Sequence, residues 1–297
     1  MKRAKTVTLP RLLLPLWLAG CFLIAGLVYL GLPAKALSRS WVGAPETRGV
    51  TSTDPPIPRR LDRAVLPLAV RRVVLDPGHG GVQSGAISDS GVAEKEITLD
   101  IAFRLRHLLK DRLFEVLMTR ETDVTLSLGE RVTFANEKRA DLFVSIHVNW
   151  LPHRATRPLE TYHVGPTDDP IALRLVGTEN RDSGYSLAAY RGLLERIYLD
   201  TRRDESRALA ATINAELYRS LKEVNPALEN RGVKMAPFAV LVGTAMPAVL
   251  VEVSCLSNEA DVSLLTKADY RERIAQALLR GIRSYANDLD GAGRKEG

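Results

Sequence analysis

Val73-Val-Leu-Asp-Pro-Gly-His-Gly-Gly81 decides how the rest of the sequence is read. Residues 73–75 are an apolar run of the kind that fills a buried strand, and Pro77-Gly78 ends it with turn chemistry. His79 therefore stands just past the carboxyl end of a strand. The glycines on either side let the backbone bend and let another group approach closely. The arrangement recurs along the chain. Leu142-Phe143-Val144-Ser145-Ile146 is a second buried-strand run with His147 directly after it, and residues 248–251 are a third, followed by Glu252. Glu94 opens the helix expected to return from the His79 loop.

In open α/β sheets, ligands collect in the crevice outside the carboxyl ends of the strands. Two histidines and a carboxylate suffice for a catalytic zinc with its fourth position open, and a further carboxylate nearby could act as general base. Spacing alone leaves a metal-free site as an equal alternative.

Hydrophobic residues make up 45% and charged residues 26% of the 297-residue chain, the balance of an ordinary globular protein. A pI of 9.4 would suggest a polyanionic partner, but its source is local. Residues 1–63 hold ten Lys/Arg against Glu46, Asp54 and Asp62, an excess of seven in a total of +6, leaving about −1 for everything after residue 63. The folded part has no nucleic-acid footprint.

Lys2, Arg3, Lys5 and Arg11 precede an uncharged apolar run over residues 12–32, long enough to cross a bilayer as a helix. The positive flank predicts a cytoplasmic amino terminus and an exported remainder, in the cell envelope. Residues 1–36 are thus expected to be a membrane anchor or signal segment, with residues 12–32 anchoring the protein. Ala34-Lys35-Ala36 resembles a signal-peptidase site, but the apolar run exceeds the core of a cleaved signal. Leu18-Ala19-Gly20-Cys21 resembles a lipoprotein signal, yet apolar residues follow it. The uncleaved anchor is the favoured of the three. Cys21 and Cys255 are the only cysteines, one in the apolar run and one beside a buried-strand pattern, so no structural disulfide is expected.

Pro45, Pro55, Pro56, Pro58 and Pro67 mark residues 37–70 as an extended linker. Residues 71–289 form the expected single catalytic domain, and residues 290–297 a polar tail. Within the domain, Ile97, Ile101, Leu105, Leu108 and Leu109 give helical spacing over 94–112. Residues 115–119 read as a strand. Ser127 and Glu130 have capping-box spacing for a helix reaching about residue 139. Further strands are expected at 161–164, 240–242 and 249–253, and further helices at 204–223 and 267–287. This alternation predicts an α/β fold, a sheet with helices on both faces.

Taken together, these segments resemble the zinc-dependent N-acetylmuramoyl-L-alanine amidases of the type 3 family, bacterial cell-wall hydrolases. The resemblance rests on Leu75-Asp-Pro-Gly-His-Gly-Gly81, Glu94-Lys95, Thr119-Arg120 with Asp123, and residues 128–136 with Arg131. It continues through Asp141-Leu-Phe-Val-Ser-Ile-His-Val-Asn149 and Val251-Glu-Val-Ser-Cys-Leu-Ser-Asn258. It implies a mixed, twisted sheet flanked by helices, one zinc ion held by His79, Glu94 and His147, and Glu252 as the catalytic carboxylate. The implied substrate is peptidoglycan, cut at the amide between N-acetylmuramic acid and L-alanine. Trp150 and His163 depart from the family's pattern and bear on substrate fit. The alternatives are a zinc peptidase acting on the stem peptide, and a non-catalytic wall-binding regulator.

Asp76 reads either as a turn former or as a residue orienting a ligand histidine. Arg120 and Arg131 read as structural ion-pair residues. About forty residues separate the 161–164 strand from Ser206, and Leu187, Tyr190, Leu194, Ile197 and Tyr198 give them an apolar stripe. The resemblance implies that residues 178–200 could form a lid displaced by a protein activator, with Glu179 or Glu195 occupying the open zinc position. The alternative is a helix packed permanently on the domain.

Overall fold

Six strands form one mixed sheet in the computed structural model, which describes residues 70–110, 112, 114–181 and 202–293. The strands are β1 (Arg72–Pro77), β2 (Glu115–Met118), β3 (Leu142–Asn149), β4 (Pro158–Val164), β5 (Glu229–Ala236) and β6 (Ala248–Cys255). Their order across the sheet is β2-β1-β3-β6-β4-β5. β2, β1, β3 and β6 run parallel, β4 runs antiparallel to β6, and β5 runs parallel to β4. Helices α1 (Glu94–Lys110), α2 (Leu128–Glu137), α3 (Pro170–Glu179), α4 (Arg202–Lys222), α5 (Ala239–Val242), α6 (Glu259–Leu265) and α7 (Ala268–Gly293) complete the described elements.

Side chains on a strand alternate between the two faces. Val73, Leu75, Val144, Ile146, Val249 and Val251 share one core with residues of α1, α4 and α7. Val74, Phe143, Tyr162 and Leu250 share the other with residues of α2, α3 and α5. The same alternation puts Asp76, Ser145, His147, Glu160 and Glu252 on this second face. The sheet therefore supplies an apolar floor at one end of its strands and a polar cluster at the other.

The expected mixed sheet with helices on both faces is present. Residues 240–242 are not a strand: they lie in α5, with Val240 and Leu241 buried. A short apolar run reads alike in a buried helix turn and a buried strand. The Ser127–Glu130 capping box is formed in both directions. β5, α3 and α6 had not been expected. β5 is an edge strand whose residues are mostly part-exposed or exposed, so its apolar signal is weak. Of the segment expected as a lid, residues 182–200, including Glu195, lie outside the described residues.

The expected anchor over residues 12–32 also lies outside the described residues. Among the described residues no helix is long and apolar enough to cross a membrane. The two that have the length, α4 and α7, are charged along one side and pack into the core along the other. The expectation of a membrane-anchored protein is corrected to this extent: no described helix supplies the anchor.

Asp76 and Arg131 tie β1 to α2 under the site. Both are fully buried, with Arg131 Nη1 2.8 Å from Asp76 Oδ1. Thr119 Oγ1 and Ser145 Oγ also donate to the Asp76 carboxylate, at 2.6 and 2.8 Å. Burial alone would raise the Asp76 pKa, but the Arg131 charge and the three donors outweigh it and hold the group below its ordinary value. That lowered pKa contributes stability above the unfolded value, about 3.9, and the contribution disappears as pH falls through the folded value. Asp76→Asn should therefore cost roughly 3–5 kcal/mol at pH 7 by leaving Arg131 buried and unpaired. The gap to the parent should narrow in denaturant titrations below about pH 4. An equal gap at pH 7 and at pH 2 would contradict this.

Candidate metal centre

His79 leaves the end of β1 in the left-handed region, at φ 59°. A non-glycine residue rests there only when its surroundings hold it. Arg131 Nη2 donates to the His79 carbonyl at 2.8 Å, and its Nη1 also donates to the Pro77 carbonyl at 2.8 Å. Arg120 donates to the Pro77 and Gly78 carbonyls at 3.0 and 2.8 Å and to Lys95 O, at the start of α1, at 2.9 Å. Both arginines are therefore structural, as expected, although Arg120 holds carbonyls rather than a carboxylate. Asp76 acts through Arg131 on the backbone of His79 and makes no hydrogen bond to its ring.

Glu94 sits between the two imidazoles. Its Oε2 is 3.1 Å from His79 Nε2, and its Oε1 is 3.1 Å from His147 Nδ1. The Ala86 and Val148 amides each donate to the same carboxylate at 2.9 Å and fix its position. Two glycines make the approach possible. A Cβ on Gly78 would lie 2.6 Å from the His147 ring, and one on Gly85 would lie 2.5 Å from both Glu94 and His79. Gly85 also has φ +68°, where side chains are strained.

A third carboxylate enters from the helix layer. Glu179, the last residue of α3, places Oε2 3.4 Å from both His79 Nε2 and His147 Nδ1. The ligand atoms of His79, His147 and Glu179 all lie within 4.8 Å of one another, a grouping able to hold a divalent cation. Glu252 is the direct cross-strand neighbour of His147 on β3 and of Glu160 on β4. The expected residues His79, Glu94, His147 and Glu252 are therefore brought to one place. They line a cavity of about 920 Å³ together with Glu179, Trp150 and Arg231.

The cluster is short of positive charge. Burial disfavours a charged His79, yet the adjacent Glu94 carboxylate outweighs it and lifts the imidazole to about 9. Burial would raise the Glu94 pKa, but the two histidines hold it well below the usual range. For Glu252, burial and then the charges of Glu94, Glu179 and Glu160 all push upward. Glu252 Oε2 is buried and has no hydrogen-bond partner. An orphaned carboxylate oxygen beside several other carboxylates fits a divalent cation, and paired imidazole and carboxylate groups are the ligand types of zinc.

Glu160 was missed at the sequence level, because the strand containing it was expected to begin at residue 161. It is fully buried and accepts from Asn149 Nδ2, Tyr162 Oη and Lys234 Nζ, each at 3.0 Å. A carboxylate between Leu159 and Tyr162, next to the expected strand, was the available signal. Cys255 is buried with its Sγ 3.1 Å from Ser257 Oγ, and burial pushes the thiol up, so it is no nucleophile.

His147→Ala should abolish stoichiometric metal binding, read by elemental analysis after dialysis. Gly78→Ala should fold but hold metal about 10–100-fold more weakly against a competing chelator, the usual effect of disturbing a ligand's support. Full metal occupancy in His147→Ala would remove that residue from the centre.

Comparison with known proteins agrees with this geometry. A family model described as N-acetylmuramoyl-L-alanine amidase matches residues 73–284. The N-acetylmuramoyl-L-alanine amidase AmiA of Escherichia coli is 30% identical over 225 residues, covering 74% of this chain and 78% of the relative. AmiC of Neisseria meningitidis is 34% identical over 261 residues, covering 85% of this chain and 60% of its own. Among solved structures, an N-acetylmuramoyl-L-alanine amidase from Clostridium difficile superposes with a TM-score of 0.57 at 26% identity, covering 74% of this chain and 98% of that one. A match over most of the folded residues, from the strand before His79 to the last helix, places the chain in the N-acetylmuramoyl-L-alanine amidase family.

Proposed function

We infer that the protein is a zinc-dependent amidase that hydrolyses the bond between N-acetylmuramic acid and L-alanine in peptidoglycan. The observation that carries this reading is the convergence of His79, Glu94 and His147 at the strand ends, with an unpartnered Glu252 oxygen on the adjoining strand. His79, Glu94 and His147 are the residues that would hold the ion. When bound, zinc lowers the pKa of a water to about 7 and polarises a carbonyl.

The chain's own groups do the rest. Glu252 Oε2 accepts the proton of the attacking water and delivers it to the departing amine of L-alanine. A carboxylate whose proton affinity is raised by burial and by neighbouring carboxylates suits both halves of that role. Glu160, held by Asn149, Tyr162 and Lys234, keeps the neighbourhood of Glu252 acidic and fixed.

Digestion of purified peptidoglycan, analysed by mass spectrometry, tests the bond that is cut. Glycan strands free of peptide and intact peptides beginning with L-alanine are expected. Fragments from within the peptide would instead indicate a stem peptidase. Glu252→Gln should keep its metal and lose about 10²–10⁴-fold in rate, the range of general acid–base catalysis. Near-parent turnover would remove Glu252 from the mechanism.

A second reading concerns Glu179. Its carboxylate occupies the side of the cluster that a substrate carbonyl would need, so the end of α3 closes the site in this conformation. Displacement of the end of α3, by a partner protein or by substrate, would open it. Glu179→Ala should raise the rate on soluble muropeptides several-fold without changing the melting temperature. An equal or lower rate in the folded variant would contradict the closure.

A further inference from the structure

Trp150 has no place in the chemistry above, yet it lines the same cavity with 44% of its surface exposed. It follows β3 directly, three residues beyond His147, which puts it roughly 10 Å along the strand direction from that ring. Its backbone is pinned on both sides. The Asn149 carbonyl accepts from the Leu256 amide at 2.8 Å, and the Leu151 amide donates to Ser257 Oγ at 3.0 Å. Arg154 pairs with Asp89, linking the Trp150 loop to the loop that carries Val82 and Ile87. Those two are also exposed, at 88% and 53%, and line the cavity. A lone exposed apolar residue needs no explanation. An indole on a pinned backbone that shares the wall of a polar cleft with two exposed aliphatic side chains is a different feature.

The opposite wall differs in kind. Arg231 lines the cavity from β5, three strand positions from β3 and on the far side of Glu252, roughly 14 Å across the sheet. Its Nη1 is buried and makes no hydrogen bond; Glu160 lies 3.7 Å from Nη1 and Glu229 lies 3.7 Å from Nη2. Arg174 and Arg181, both exposed on or just after α3, line the cavity as well. The cleft is thus apolar and aromatic on the β1–β3 side of the metal cluster and cationic on the β4–β5 side.

The substrate inferred above has the matching asymmetry. Its glycan is uncharged, since the lactyl carboxyl is tied up in the scissile amide, and pyranose rings present a face of C–H bonds that packs on an aromatic face. Its peptide ends in a carboxylate. On that reading of the function, we propose that Trp150 is the sugar platform of the site: a ring of the glycan adjoining the scissile amide lies on the indole, and the peptide leaves toward Arg231. Trp150 is then a specificity-determining residue that holds the glycan and takes no part in proton transfer.

Trp17 and Trp41 are the only other tryptophans, so the full chain carrying Trp17→Phe and Trp41→Phe reports on Trp150 alone. Titration with the peptide-free disaccharide of N-acetylglucosamine and N-acetylmuramic acid should shift or quench its emission saturably. In parallel, kcat/KM would be compared for a disaccharide-peptide and for the sugar-free N-lactoyl-L-alanyl peptide. Trp150→Ala should reduce the preference for the sugar-bearing substrate about tenfold, through KM, as expected for losing an aromatic contact. Trp150→Phe should restore most of it. Unchanged emission with an unchanged preference in Trp150→Ala would overturn the platform. An emission response without hydrolysis of either substrate by the parent chain would overturn the amidase reading and leave the sugar contact standing.

Discussion

The site depends on one buried ion pair. Asp76 and Arg131 meet inside the domain, and Arg131 spends its remaining donors on the carbonyls of Pro77 and His79. This is how a histidine is kept at φ 59° at the end of a strand. A buried guanidinium with all but one of its nitrogens engaged tolerates little movement of its partners. The His79 loop is therefore preorganised by the sheet and α2, whether or not a cation is present.

The second constraint is electrostatic. Glu94, Glu179, Glu252 and Glu160 crowd one end of the sheet, and Lys234 and Arg231 lie against Glu160. Like carboxylates at this density raise one another's proton affinity, and burial adds to the cost. A divalent cation relieves both, so metal binding and the stability of this end of the domain are coupled. Glu179 fits the same logic from the other direction: a carboxylate delivered by α3 joins the two histidines in the grouping able to hold the ion.

Much of this was legible in the primary structure. His79, His147 and Glu252 each follow a short apolar run, and a polar residue at the end of a buried strand in an α/β chain points to the crevice. Glu94 was legible because the periodicity of Ile97, Ile101 and Leu105 fixes where α1 begins. Glu160 and Glu179 were harder. The meaning of Glu160 depends on β4 running antiparallel beside β6, a pairing between distant segments that no local pattern encodes. Glu179 was considered as a lid residue, but its arrival depends on how α3 packs. Residues 240–242 were misread because burial on all sides erases the difference between helix and strand periodicity. β5 escaped notice because an edge strand half open to solvent carries little apolar alternation.

X-ray absorption at the zinc edge, on the purified and metal-loaded protein, tests the central claim most directly. Two imidazole nitrogens at about 2.0–2.1 Å with carboxylate oxygens at about 2.0–2.2 Å are expected from His79, His147 and Glu94. Replacing Glu179 with Ala should leave both nitrogens in place and change only the oxygen shell. A sulfur neighbour at about 2.3 Å, or a shell of oxygens with no imidazole, would contradict the account.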